Sequence, residues 1–166
     1  DTDKRLFEET MADFREAGAD LSQEKRDRLE AISEELAQIT QKFSENVLDS
    51  TNAWDLIIRD QSKLAGLPDS AMDAARQSAK DKLEQKDGDE PCWRFTLQAP
   101  SISPVLEYLE DDSIRKEIWE AATKIGWQDD WENTDAIKQI LSLRLEKASL
   151  LGKNDFADIA LSRRMA

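Results

Sequence analysis

The chain has 166 residues, 39% hydrophobic and 36% charged, which is the length of one ordinary domain and a balance suited to a thin-cored helical protein rather than a sandwich or barrel. Thirty-six acidic residues against 23 basic ones leave a net charge of −13, which argues against the concentrated cationic surface that nucleic acid requires. There is no histidine, so the chain holds no Ser-His-Asp triad, no imidazole base and no His-ligated zinc. The single cysteine, Cys92, makes neither an intramolecular disulfide nor a structural zinc site.

The first helix is expected over residues 3–17, where Leu6, Phe7, Met11 and Phe14 share one face. Gly18 follows as a C′ residue. Ser22 then caps a long helix from Gln23 to Ser50, with Glu24 in its first turn. Its apolar seam, Leu29, Ile32, Leu36, Ile39, Phe43 and Val47, steps by three and four like a coiled coil and is read as core. The short connection predicts that the first two helices form an antiparallel hairpin over residues 1–51.

From residue 52 to 99 the pattern changes to strand, helix, strand. Residues 54–58 and 93–97 are short, apolar and β-branched or alternating, and are expected to pair as one small two-stranded antiparallel β element. Between them a helix runs from about Asp69 to Lys86, with Pro68 at its first position. Lys86-Asp-Gly-Asp-Glu-Pro91 reads as a turn. From residue 100 to 166 helices resume. Ser103 caps one that carries Leu106 and Leu109 inward. Asp112 caps another with Ile114, Ile118, Trp119 and Ala122, ended by Gly126. Trp127 to Glu132 is an acidic, aromatic loop. Asn133 or Thr134 then caps a helix with Ile137, Ile140, Leu141, Leu145 and Ala148, stopped by Gly152, and a last helix starts near Asp155. The class is mainly α, with no internal repeat.

Candidate chemistry is sparse. Asp129, Asp130, Glu132, Asn133 and Asp135 are oxygen-rich, but their spacing matches no calcium loop, and neither does Asp87-Gly-Asp-Glu90. Ser101, Ser103 and Thr96 lack a near-neutral base, and Cys92 beside Trp93 reads as a small buried hydrophobe. Trp54, Trp93 and Trp119 sit in apolar patterns and are expected to anchor core or sheet. Trp127 and Trp131 lie in a polar loop, either stapling it to the body or covered by another part of a larger protein. No catalytic, cofactor-binding or metal-binding residue is assigned. No run of about 18 apolar residues is present to span a membrane, and Asp1-Thr-Asp-Lys-Arg5 lacks the layout of a signal peptide. With one cysteine, a cytoplasmic location is expected. Both ends read as cuts through a longer chain.

The residues that carry a family resemblance begin at Lys42-Phe-Ser-Glu-Asn-Val-Leu-Asp-Ser-Thr-Asn-Ala-Trp54. They continue through Leu64-Ala-Gly-Leu-Pro-Asp-Ser70, Thr96-Leu-Gln-Ala-Pro-Ser-Ile-Ser-Pro-Val-Leu106, Arg144, Leu150-Leu-Gly152 and Met165-Ala166, with Phe14-Arg-Glu-Ala-Gly-Ala-Asp-Leu21 as the helical entry. In order and spacing the chain resembles the thimet oligopeptidase/oligopeptidase A family of zinc metallopeptidases. It departs from the family's aromatic and Arg-containing run between Trp119 and Asp135. The resemblance implies a helical, two-lobed parent enzyme with a deep channel, which cleaves short peptides with zinc held by a later His-Glu-x-x-His helix and a Glu. It implies that residues 1–166 are a scaffold and channel-wall segment upstream of that helix, inactive and zinc-free alone, whose partners are the remaining chain and the peptide substrates. Apolar surface exposed by excision predicts self-association. Two other readings are a stand-alone helical interaction module, bound through Phe43 or Trp127 and Trp131, and a small metal-dependent enzyme using carboxylates only.

Overall fold

Local spacing and caps place most of the helices. The computed structural model describes residues 2–84, 89–128, 130–162 and 164. The turn expected at Lys86–Pro91 lies partly outside these residues, as do Asp87 and Asp129 of the acidic stretches and the closing Met165-Ala166. Among the described residues the helices are α1 Thr2–Glu16, α2 Gln23–Ala53, α3 Asp69–Leu83, α4 Ala99–Tyr108, α5 Asp112–Ala122, α6 Thr134–Leu150 and α7 Phe156–Leu161. Strands β1 Asp55–Ile58 and β2 Trp93–Thr96 complete the order, with a 3-10 turn at Gln61–Leu64. The mainly helical class with one antiparallel strand pair is the one expected from the sequence. The contacts divide into two compact units, Asp1–Ser44 with Thr134–Ala166, and Glu45–Asn133.

In the first unit, α1 buries no residue, and Leu6, Phe7 and Phe14 stay exposed. The turn that follows it, through Gly18, packs on Leu29 of α2. Leu29 and Ile32 of α2 are buried, and so are Ile140, Leu143 and Ala148 of α6. Arg28 grips Glu146 with two parallel bonds, Nε to Oε1 at 2.6 Å and Nη2 to Oε2 at 2.7 Å, and reaches Glu35 with Nη1 at 3.0 Å. This forked geometry is the strong form of an Arg–carboxylate pair, and it holds the Glu146 carboxyl below its ordinary range. The last helix starts near Asp155 as expected, and the Asp155 side chain caps it by accepting the Asp158 amide. Arg144 lies over the Phe156 ring, 4.9 Å from its centroid. Of the apolar residues named for this helix, Ile137, Leu141 and Leu145 are exposed, whereas Leu143 is buried. The inward face of α6 is thus the one marked by Ile140, Leu143 and Ala148. Helical spacing alone did not choose between the two stripes.

The second unit holds the larger core. Strands β1 and β2 pair antiparallel in the register Asp55↔Thr96, Leu56↔Phe95, Ile57↔Arg94 and Ile58↔Trp93. Trp93 and Phe95 alternate inward along β2 and meet Ile58, Leu64, Val105 and Ile118. Pro68 is the extended N-cap of α3, not its first helical residue. Helix α4 starts at Ala99, before the expected Ser103 cap, so Pro104 falls inside it. Pro100 stands in its first turn, and the Ser101 hydroxyl accepts the Thr96 amide at the end of β2, five residues back. Val105 and Leu109, four apart, share the buried face, so Leu109 is inward as expected while Leu106 is exposed, the reverse of the expectation. Asp111, not Asp112, caps α5, because its carboxylate accepts the Ser113 and Ile114 amides. Trp119, read as an anchor, is 56% exposed, while Ile114 and Ile118 fill the inward face. Gly66, at φ +88°, is required where it stands: a Cβ there would lie 2.2 Å from the Tyr108 carbonyl oxygen.

Candidate functional site

The loop between α5 and α6 builds the most distinctive surface of the second unit. It closes on itself through the Asn133 amide, which donates to the Gly126 carbonyl at 2.9 Å, and through the Gln128 amide, which donates to the Glu132 carboxylate at 2.9 Å. Beneath it two buried bonds tie it to the last turns of α2. Asn46 Nδ2 donates to Asn133 Oδ1 at 3.0 Å, and the Gly126 amide donates to Ser50 Oγ at 3.0 Å. Gly126 has φ +66°, and a Cβ would sit 3.0 Å from Asn133 Nδ2, so the corner suits glycine for both backbone and space. Among the described residues Asn46, Ser50 and Asn133 are the buried polar side chains, and each is bonded, as burial demands.

Above this floor lies a cleft of about 410 Å³. Trp54, just past α2, and Trp127 and Trp131 of the loop line it, and α5 contributes Glu117 and Glu120, with Lys124 following. Positions 117 and 120, three apart, present one face of α5. Trp127 is half exposed and Trp131 partly buried. Glu120 also reaches Lys116, at 3.7 Å, across one turn of exposed helix.

The sequence singled out Trp127 and Trp131, and the structure brings them together with Trp54. It does not bring the acidic stretch together as a cation site. Glu132 is engaged with Gln128, Asp135 pairs with Lys138 at 3.2 Å, and Asn133 turns into the core. Among the described residues no group of three or more His, Cys, Asp or Glu could hold a metal ion. Cys92 is fully buried, as its apolar setting suggested. Sequence reading missed Asn46 and Ser50. The signal was present: continuing Leu29, Ile32, Leu36, Ile39 and Phe43 by strict alternation of three and four reaches 46 and 50, not Val47. Polar identity hid them.

A sequence model of peptidase family M3 matches residues 105–166. The chain belongs to the thimet oligopeptidase/oligopeptidase A family. It is 39% identical over 168 residues to oligopeptidase A of Haemophilus influenzae, covering 98% of this chain and 24% of that protein. It is 38% identical over 164 residues to the chloroplastic/mitochondrial organellar oligopeptidase A of Arabidopsis thaliana, with 98% and 21% covered. Against oligopeptidase A of Escherichia coli the identity is 33% over 168 residues, with 98% and 24% covered. The chain thus spans about a quarter of the length of the curated relatives it matches.

Proposed function

We propose that this chain is a scaffold and channel-wall segment of a zinc oligopeptidase that hydrolyses short peptides, with the catalytic residues elsewhere in the same polypeptide. The observation that carries the reading is the alignment itself: nearly the whole chain matches oligopeptidase A, yet takes up about a quarter of it. Zinc needs imidazole, thiolate or converging carboxylate ligands. This chain has no imidazole, its one thiol is buried, and its described carboxylates do not converge. The residues present do not fit the ion, and no step of metal chemistry is assigned to them. A cytoplasmic setting accords with the name of one relative, the probable cytosolic oligopeptidase A of Arabidopsis thaliana, whereas the organellar relative is named for another compartment.

Two measurements test the reading. Purified alone, the segment is expected to bind no stoichiometric zinc and to hydrolyse no peptide; one zinc per chain together with turnover overturns it. The gene around the segment is the second. A reading frame running on to His-Glu-x-x-His supports the peptidase, and a stop codon at Ala166 favours an interaction module. The exposed stripe of Ile137, Leu141 and Leu145 and the open face of α1 further predict that the isolated segment self-associates. Sedimentation at rising concentration checks this, and a monomer throughout counts against covered faces in the parent.

A further inference from the structure

We infer that the tryptophan-lined cleft of residues 45–133 binds a cationic side chain, arginine or lysine, of an extended peptide. Three features converge on this occupant. First, Trp54, Trp127 and Trp131 line one cleft, and the faces of indole rings attract guanidinium and ammonium groups more strongly than other aromatic faces do. Second, Glu117 and Glu120 border the same cleft beside Lys124; Glu120 is already 3.7 Å from Lys116, and Glu117 is the lining carboxylate with no ion pair among the described residues, within a chain of net −13. An anionic occupant would face Glu117, and a purely apolar one would cover that carboxylate without a partner. Third, the Asn46–Asn133 and Ser50–Gly126 bonds hold the loop in place before anything binds, so little ordering is left for the bound state. The volume, about 410 Å³, accommodates one long side chain with adjacent backbone and is small for a docked helix.

The inference goes beyond the peptidase reading and is tested without turnover. An end-blocked, fluorescein-labelled Gly-Arg-Gly peptide and its citrulline counterpart, which is neutral and nearly isosteric, are titrated by anisotropy against the intact polypeptide carrying this segment. The arginine peptide is expected to bind about fivefold or more tightly than the citrulline one. The paired change Glu117→Gln and Glu120→Gln is expected to abolish that preference. Trp127→Ala is expected to weaken the arginine peptide about two- to fivefold. All three side chains are exposed, and circular dichroism checks that each variant folds. Equal affinities for the two peptides overturn the proposal, as would be seen if another part of the polypeptide filled the cleft. An arginine preference that survives both glutamine substitutions also overturns it, by placing binding elsewhere, such as in a catalytic channel. Loss of peptide hydrolysis, measured separately, bears on the catalytic assignment and not on this one.

Discussion

Asn133 shows how much one side chain can decide. It closes the aromatic loop with its amide, satisfies Asn46 with its side-chain oxygen, and packs against the glycine corner at 126. Asn133→Ala leaves the buried Asn46 amide without that acceptor. Orphaning a buried polar group costs about 1–3 kcal/mol, while replacing both partners by apolar groups of similar shape is far cheaper. Urea denaturation is expected to show a lowered midpoint for Asn133→Ala and substantial recovery when Asn46→Leu is added. A single variant with the wild-type midpoint would mean that the pair contributes nothing. Neither asparagine stands out in the sequence as a structural residue: Asn133 reads as one of two candidate helix caps, and Asn46 lies beside Val47, which the apolar seam takes in. Which polar groups are buried together depends on segments distant in sequence, and no local pattern records that.

At the scale of elements, the caps were legible and their exact residues less so. The sequence points to a cap at Asp112, and the structure uses Asp111. The difference of one residue follows from geometry, since a cap carboxylate must reach the amides two and three residues on, and here these belong to Ser113 and Ile114. The Ser113 hydroxyl and the Ile114 amide hold the Asp111 carboxyl below its ordinary value of 3.8. A carboxyl depressed in the folded state stabilises fully above the unfolded value and loses that contribution as pH falls through the folded one. Asp111→Ala is therefore expected to lower the melting temperature at pH 7, with the deficit narrowing as pH drops below about 4. A deficit unchanged down to about pH 2.5 would show that the charge on the cap is irrelevant. Helix α4 gives the complementary lesson. Ser103-Pro104 is a sound local start signal, but Ala99-Pro100 is another, and the helix starts there, with the Ser101 hydroxyl accepting the Thr96 amide.

For the molecule as a whole, the apolar burial is uneven. Trp93, Phe95, Val105, Leu109, Ile114 and Ile118 belong to one cluster in Glu45–Asn133, whereas α1 and α7 bury no residue. Opening free energy follows local burial, so the slowest-exchanging amides are expected in β2, α4 and α5, and α1 is expected to exchange fastest among the longer helices. Hydrogen exchange read by mass spectrometry checks the order. Protection of α1 equal to that of β2 would require a covering surface for Leu6, Phe7 and Phe14. The charge of −13 acts on the same scale, through self-repulsion and solubility rather than through fold.

The sequence by itself determined the helical class, the strand pair, most helix limits and the family. These follow from short-range spacing, capping chemistry and residue order, all of which are written along the chain. Only the tertiary structure decided that Val105 turns in and Leu106 out, that Trp119 stays in solvent, that Asn46 and Ser50 go under the loop, and that Trp54 joins Trp127 and Trp131. Periodicity names a face of a helix, but burial is set by whatever packs opposite that face, and those neighbours come from remote parts of the chain.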